Sequence, residues 1–247
     1  MAMRVFWDDS ARRKAAFKLG WSASRDAPEV HAHFEAGRQI VQTLVDRSPV
    51  APGGSSVAVE IGCGFGRVCV ALADRFDRVV GVDISSEMVQ RASMLVDHPR
   101  ISFRVGDGLR LRSFVDESVD LVICSNVFPH VPTAEVAHSY LAEAARVLRP
   151  GGLLAFQWDN QPGERSWAAR RRARFLGTRI PLAHLQATLA ANGMDLAGTR
   201  DLGTARAVAW AVRRADPVTA PVRARSARRV RQPKGSRLEP TAHMLKY

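Results

Sequence analysis

The chain has 247 residues, 46% of them apolar, which suffices for one sizeable α/β domain with its own core. The net charge of +12 is concentrated in two stretches, since residues 213–247 carry ten Lys/Arg against two Asp/Glu and residues 164–179 carry six Arg against one Glu. The first 18 residues lack a secretory apolar run, no stretch could span a bilayer, and the three cysteines lack metal-site spacing, so we expect a cytoplasmic protein with reduced thiols and no metal.

Residues 1–48 precede the first predicted strand and contain two predicted helices, so we assign them to an N-terminal helical cap. The second helix begins near Pro28, with proline in its first turn and acidic residues near the positive end of the helix dipole. Three aromatic residues of this cap, Trp7, Trp21 and Phe34, could line an apolar pocket, but aromatic residues at such spacing are more often core residues. Its two histidines, His31 and His33, are expected to be exposed or structural.

A strand, a glycine-rich turn and a helix are predicted in succession at residues 57–68, which read VAVEIGCGFGRV. Glycine suits the three turn positions because a side chain would block a tight turn or keep a ligand from the backbone. The following helix offers free N–H groups to a carboxylate or phosphate. The third glycine comes one residue earlier than in a dinucleotide-binding G-x-G-x-x-G turn, where Arg67 stands instead. The pattern still predicts the opening of a nucleotide-binding α/β unit.

Residues 78–83 predict a second buried parallel strand that ends in an acid, Asp83. An acid at this point is placed to accept hydrogen bonds from the two ribose hydroxyls of an adenosine. Residues 85–88, Ser-Ser-Glu-Met, indicate the capped start of the next helix. A third strand is predicted at residues 101–105, and Asp107 in the turn after it could accept a hydrogen bond from an adenine amino group.

Residues 118–124 predict the fourth strand, and residues 125–132 leave its carboxyl end, where ligands of open α/β sheets bind. The remaining predicted elements follow in order: helix 133–148, strand 153–158, arginine-rich helix 166–176, helix 181–191, and an antiparallel strand pair at 194–200 and 205–213. We assign residues 49–213 to the main domain. Residues 214–247, rich in Pro, Ala, Arg and Ser, are expected to form a basic, disordered tail.

Five short motifs in a fixed order carry a family resemblance: EIGCGFG at 60–66, GVDISSEM at 81–88, GDG at 106–108, DLVICSN at 120–126 and LRPGG at 148–152. Each motif alone is modest, but their order and separations resemble the class I S-adenosylmethionine-dependent methyltransferases of the small-molecule type common in bacteria. The resemblance covers residues 1 to about 212. It implies S-adenosylmethionine as cofactor and a doubly wound α/β fold, with a seven-stranded, mostly parallel sheet, an antiparallel last strand and an N-terminal helical cap.

The resemblance also implies which residues hold the methionine end of the cofactor. The glycine turn, with Gly62, Gly64 and Gly66, would contact this end through its backbone. Glu60, at the end of the first strand, would orient the same end through water or through the amino group. A helix-cap role for Glu60 is the simpler alternative and stays open.

The adenosine half of the cofactor is expected along the ends of the second and third strands. By the resemblance, Asp83 would bind the ribose hydroxyls and Ile84 would pack on the adenine ring. Asp107 would reach the adenine amino group, and Gly108 would lie beside it.

The acceptor substrate of a methyltransferase is poorly encoded in its sequence. The cofactor is itself the activated electrophile, and the protein mainly aligns two bound molecules. The resemblance implies that Ser125 and Asn126 flank the sulfonium, although both also fit a plain loop. His130 in the same loop is the best candidate for a general base, since its intrinsic pKa suits proton transfer near neutral pH. A role of His130 in packing or in fixing the loop stays open beside this one.

Three functions are compatible with these motifs: a small-molecule O-, N- or C-methyltransferase, an RNA or protein methyltransferase that uses the basic stretches, and a cofactor-binding module without catalysis. The intact glycine turn and Asp83 disfavour the last. Methyltransferases acting on amino groups of nucleic acids place Asn/Asp-Pro-Pro-aromatic after the fourth strand, but residues 125–128 here are Ser-Asn-Val-Phe. We therefore favour a small-molecule acceptor, and a solvated basic tail over a nucleic-acid-binding one.

Overall fold

Seven strands form a single sheet within the residues that this computed structural model describes, namely 2–18, 28–163 and 177–215. The strands are β1 Val57–Ile61, β2 Arg78–Asp83, β3 Ile101–Val105, β4 Val119–Cys124, β5 Leu148–Trp158, β6 Met194–Arg200 and β7 Ala207–Arg213. Their order across the sheet is β3-β2-β1-β4-β5-β7-β6.

The pairing of the strands is parallel from β3 to β5 and antiparallel around β7, which lies between β5 and β6. In the register of the central strands, Glu60 of β1 lies opposite Gly81 of β2 and Ile123 of β4. The carboxyl ends of these three strands therefore meet at one edge. The predicted fold, a mostly parallel seven-stranded sheet with an antiparallel last strand, is confirmed.

The central strands β1, β2 and β4 are rich in Val and Ile because both faces of the sheet are covered. Every residue of β4 is buried. One face packs against the apolar sides of two helices through residues such as Leu141 and Leu185. The other packs against Val68, Leu72 and the end of the cap at Leu44. Two layers of helices thus enclose the sheet, as in doubly wound proteins.

Six α-helices are described: α1 Ala2–Lys18, α2 Pro28–Val41, α3 Arg67–Leu72, α4 Ser86–Leu95, α5 Ala134–Val147 and α6 Leu182–Ala191. A π-helical turn, Gln42–Asp46, continues α2, and a 3-10 turn covers Phe128–His130. Ser85 caps α4 as predicted, because its Oγ accepts a hydrogen bond from the Met88 backbone N–H at 3.1 Å. Among these helices and turns, none combines the length and the apolarity that crossing a bilayer requires.

The cap helices belong to the same compact unit as the sheet. Gly37 of α2 packs so closely on the Arg67 carbonyl that a Cβ at this position would overlap it. Farther along, the Trp210 indole N–H donates to the Leu44 carbonyl at 2.7 Å and ties the end of the cap to β7. The predicted domain boundaries at residues 48 and 213 stay predictions.

Several predicted features fall outside the described residues, namely Trp21, the arginine-rich helix at 166–176 and residues 216–247 of the predicted tail. Arg214, the first residue of that tail, is described. Its backbone N–H donates to the Gly193 carbonyl at 2.9 Å.

Candidate functional site

A cavity of about 550 Å³ opens at the carboxyl edge of β1, β2 and β4 and is covered by residues of α1 and α2. Nine of the residues predicted from the sequence line it: Glu60, Gly62, Gly64, Asp83, Ile84, Gly108, Ser125, Asn126 and His130. Gly66 and Asp107 are not part of its wall. The described residues hold no group of three His, Cys, Asp or Glu side chains placed to bind a metal.

The glycine turn between β1 and α3 has three left-handed residues, with φ of 72° at Gly62, 53° at Gly64 and 82° at Gly66. A Cβ at Gly62 would overlap Val127, and one at Gly66 would lie 2.6 Å from the Phe103 ring, so these two glycines permit close packing. A Cβ at Gly64 would meet nothing within 4 Å. Gly64 is thus the position where the turn leaves its backbone open to the cavity.

Asp83 ends β2 with its carboxylate turned back toward the glycine turn. Its Oδ2 accepts a hydrogen bond from the Gly64 backbone N–H at 3.0 Å, and its Oδ1 accepts one from the Ser85 N–H at 2.9 Å. Burial raises the pKa of Asp83, and these two backbone bonds act in the opposite direction. Each carboxylate oxygen keeps a second lone pair, so the group can accept further hydrogen bonds from a ligand.

Glu60 is 2% exposed and lines the cavity. Its Oε2 accepts hydrogen bonds from the Cys69 backbone N–H at 3.1 Å and from the Cys69 thiol at 3.0 Å. Because Cys69 lies in the first turn of α3, the Glu60 carboxyl has the helix-cap role that the sequence left open. Burial raises the pKa of Glu60 to about 8, against the opposing effects of Cys69 and the charge of Arg67.

The loop after β4 forms the far wall. Asn126 has a left-handed backbone, with φ of 58°, and its Nδ2 lies 3.4 Å from His130 Nε2. The Ser125 hydroxyl donates to the Gln157 side-chain oxygen at 3.1 Å. The His130 ring also meets the Trp7 ring edge to face, with centroids 5.4 Å apart. His130 is therefore held between its own loop and the cap.

Asp107 is occupied by its own turn. Its Oδ1 accepts hydrogen bonds from the backbone N–H groups of Leu109 and Arg110, and its Oδ2 accepts one from Arg112 at 2.9 Å. Burial opposes ionisation, but these bonds prevail and lower the pKa of Asp107. The neighbouring Gly108 does line the cavity, with its Cα side against Ile84.

Helix α1 covers part of the cavity and is hydrogen-bonded to residues after β3 and after β2. Met3 and Trp7 line the cavity, and the Arg4 guanidinium donates to the Gly106 carbonyl at 3.1 Å. Asp8 Oδ1 accepts hydrogen bonds from the Ser85 hydroxyl at 2.6 Å and from the Glu87 N–H at 3.2 Å. Sequence reasoning named Trp7 as a candidate, and the structure places it in the wall.

Helix α2 contributes residues that sequence reasoning set aside or missed. His31 is exposed, and His33 lines the cavity. Glu29, four residues earlier on the same face, lines it too. Phe34 packs instead in a small cluster with Ala11, Val30, Phe65 and Met88. The i, i+4, i+8 spacing of Glu29, His33 and Gly37 is the signal that could have placed them on one helix face.

Residues 59–156 match the family model described as a methyltransferase domain, and this match spans β1 to β5 and therefore the whole floor of the cavity. Over these residues the chain is similar to the class I S-adenosylmethionine-dependent methyltransferases. Among curated relatives, this chain is 36% identical over 117 residues to the 2-methyl-6-phytyl-1,4-hydroquinone methyltransferase of Synechocystis, covering 46% of this chain and 35% of that one. The matched segments span between 35% and 54% of the curated relatives' own lengths.

Two solved structures share the fold of this chain over most of its length. One is a methyltransferase in complex with the Trm112 activator of Haloferax volcanii, with a TM-score of 0.64, 24% identity, and coverage of 87% of this chain and 98% of that one. The other is the magnesium protoporphyrin IX methyltransferase of Synechocystis with bound S-adenosylhomocysteine, with a TM-score of 0.60, 20% identity, and coverage of 86% and 98%.

Proposed function

We propose that this protein transfers the methyl group of S-adenosylmethionine to a small-molecule acceptor. The observation that carries the proposal is the open backbone of Gly64, held against the Asp83 carboxylate at the carboxyl edge of a parallel sheet. A Cβ at Gly64 would project into free space of the cavity, so the turn leaves room for a ligand against bare main chain. The match of residues 59–156 to a methyltransferase-domain model and the cavity volume of about 550 Å³ support the same function.

Five residues of the cavity floor would hold the cofactor. Asp83 has lone pairs left for the ribose hydroxyls, and Ile84 offers an apolar surface beside Gly108 for the adenine ring. Gly64 would lie against the methionine end, and Glu60 would face the amino group of that end. The Asp107 side chain is bonded to Leu109, Arg110 and Arg112. Asp107 would therefore act on adenine binding only indirectly, by stabilising the turn beside the adenine.

When bound, S-adenosylmethionine supplies a methyl group activated by a cationic sulfur. The residues of the far wall would orient the acceptor and keep water out. Trp7 covers this wall, and Asn126 lies 3.4 Å from His130 Nε2. An acceptor hydroxyl or amine would replace this long contact and give its proton to His130 Nε2, which then acts as general base.

The proposed acceptor is a small molecule with an apolar part, and the proposed location is the cytoplasm. Met3, Trp7, Phe65 and Val131 supply apolar wall to the cavity, which supports such an acceptor. The related proteins are named for a prenylated hydroquinone and a porphyrin, both small molecules. Three buried, unbridged cysteines support a reducing compartment.

The RNA- or protein-methylating alternative depends on the basic stretches at 164–179 and 213–247. Of these, residues 177–179 and 213–215 lie among the described residues. Arg179 donates to the Gln161 side-chain oxygen at 2.7 Å, within the fold. Arg214 pairs with Asp195 at 3.1 Å and also donates to the Ala190 carbonyl, so this arginine is engaged within the fold. No contact in the described part of the chain favours this alternative over a small-molecule acceptor.

Calorimetry with S-adenosylhomocysteine tests the proposal. The wild type is expected to bind with a dissociation constant in the micromolar range or below, on the order of −8 kcal/mol. Asp83→Ala should weaken binding roughly 5- to 150-fold, since a charged hydrogen-bond acceptor is worth about 1–3 kcal/mol. Asp97→Ala, an exposed aspartate away from the cavity, is the control and should bind like the wild type. Equal affinity of wild type and Asp83→Ala would remove Asp83 from the site.

A further inference from the structure

Two polar groups of the cavity have no place in the function proposed above. The first is the Arg67 guanidinium. Arg67 begins α3 directly after the glycine turn, is half-buried and lines the cavity. No hydrogen bond or ion pair joins its side chain to any other residue in the described ranges. An arginine at a cavity wall with all its donors unused by the protein is suited to a ligand that accepts hydrogen bonds in its plane.

The second group is the imidazole of His33 on α2. Its Nε2 is buried and has no hydrogen-bond partner within the described part of the protein. The ring is packed against Phe34 and Phe65, with centroid distances of 5.4 and 6.1 Å. Burial first, and the charge of Arg67 second, lower the pKa of His33 to about 4, so the ring is neutral at physiological pH. A buried polar atom without a partner is uncommon in folded proteins, and at a cavity wall a ligand that completes the bond is one explanation for it.

An acid and a cation flank the glycine turn, with Glu60 before it and Arg67 after it. Arg67 acts electrostatically on both His33 and Glu60, and all three residues line the cavity. Glu60 Oε2 is bonded to Cys69, and no ion pair joins Glu60 to Arg67 in the described ranges. With its raised pKa of about 8, Glu60 is protonated at neutral pH, and an ammonium group beside it would favour its ionised form. The ionised acid and the guanidinium are then complementary to a zwitterion, that is, to an ammonium and a carboxylate on the same carbon.

We propose that Arg67 and His33 bind the carboxylate of the cofactor's amino acid group, on the side opposite to the ammonium group at Glu60. The guanidinium supplies two parallel N–H donors to the carboxylate, and neutral His33 supplies one N–H. This inference rests on the proposed function. It makes α2 of the cap part of the cofactor site, because Gly37 packs on the Arg67 carbonyl and fixes α2 beside this residue.

The test compares two thioether nucleosides that differ only in the amino acid group, S-adenosylhomocysteine and 5′-methylthioadenosine. By calorimetry, Arg67→Met is expected to weaken binding of S-adenosylhomocysteine roughly 10- to 100-fold and to change that of 5′-methylthioadenosine less than about twofold. His33→Phe should show the same selectivity with a smaller loss, about 3- to 10-fold. Arg110→Met removes the other arginine of the cavity wall and should leave the ratio of the two affinities unchanged.

A second pair of ligands separates the carboxylate from the ammonium. The wild type should prefer S-adenosylmethionine to its decarboxylated analogue, and Arg67→Met should lose most of this preference while Arg67→Lys keeps part of it. Equal weakening of all nucleosides by Arg67→Met, or an unchanged ratio in Arg67→Met with a native melting curve, would overturn the inference and leave the proposed function intact. A wild type that binds neither nucleoside overturns both.

Discussion

The floor and the cover of the cavity are built in different ways. The floor consists of Glu60, Gly64, Asp83 and the other residues at the strand ends, and the cover consists of the cavity-facing side chains of α1 and α2. In the floor, the polar side chains are held by hydrogen bonds to neighbouring backbone, as Asp83 is by Gly64 and Ser85. In the cover, α1 is held by a few side-chain contacts and one small apolar cluster, whereas α2 also packs through its end against the sheet.

This difference indicates which ligand each side of the cavity binds. A floor fixed by the sheet suits the parts of a cofactor that never change, because its geometry is set before the ligand arrives. Helix α1 of the cover, with few buried contacts, opens at lower free energy than a sheet and can admit an acceptor. Selectivity for the acceptor is therefore expected from the cover, and affinity for the nucleoside from the floor.

The largest effect is expected where floor and cover meet, at His130 against Trp7. His130→Ala should lower turnover roughly 100- to 10,000-fold, the range lost with a general base, and keep the affinity for S-adenosylhomocysteine within about threefold. Radiolabelled methyl transfer to an identified acceptor measures the first, and calorimetry the second. His184→Ala, an exposed histidine on α6, is the control. Unchanged turnover in His130→Ala would limit this residue to packing.

The second-largest effect is expected from a side chain that fills the cavity at Gly64. Gly64→Leu should weaken binding of S-adenosylhomocysteine by roughly 100-fold or more, about 2.7 kcal/mol, because the side chain occupies the ligand's space. Gly203 provides a matched control, since its φ is 82° and a Cβ there would also meet nothing within 4 Å, but it lies away from the cavity. Both variants should lose about 1–2 kcal/mol of stability from the left-handed backbone. Loss of binding in both would refute a specific role of Gly64.

The buried acid of the floor predicts a pH-dependent stability. Because burial raises the pKa of Glu60 to about 8 from 4.5, the folded protein keeps a proton that the unfolded chain has lost between these values. The stabilisation is full below pH 4.5 and is lost as the pH rises through about 8. Urea unfolding should show the wild type losing about 1.4 kcal/mol per pH unit relative to Glu60→Gln between roughly pH 5 and 8. Parallel curves would show that Glu60 titrates normally.

The smallest effect is expected on stability, from the hydrogen bonds that attach α1 to the start of α4. A double-mutant cycle on Asp8 and Ser85 should give a coupling of about 1 kcal/mol in the free energy of unfolding, the usual worth of a partly buried hydrogen bond. The cycle on Arg12 and Glu87 tests a more exposed contact between the same two helices, 3.7 Å long, and should give about 0.5 kcal/mol or less. A coupling near zero for Asp8 and Ser85 would mean that apolar packing alone holds α1.

The floor was largely predictable because its signals are local. The bounds of β2, β3 and β6 agree with those read from the sequence, since each is an apolar or β-rich run between clear breaks. Parallel strands bring their carboxyl ends to one edge, so the residues that follow them had to come together. Asp107 departs from the expectation because its neighbouring N–H groups and Arg112 satisfy it within its own turn.

The cover was less predictable because it depends on how helices dock. The sequence places Glu29 and His33 on one face of α2, but it does not say that Gly37 turns this face toward Arg67. The unpaired ring nitrogen of His33 is likewise a property of the packed structure. The contact between Trp7 and His130 joins residues more than a hundred positions apart, and no local pattern encodes it.

The position of β7 bears on how the chain folds during synthesis. The strand is the last to be translated of the seven, yet it is inserted between β5 and β6. Until it emerges from the ribosome, the outer edge of β5 has unpaired backbone groups and can recruit strands from other chains. The cavity floor, at β1, β2 and β4, can be assembled earlier. Translation that stops before residue 207 is therefore expected to give products that bind the nucleoside weakly and aggregate.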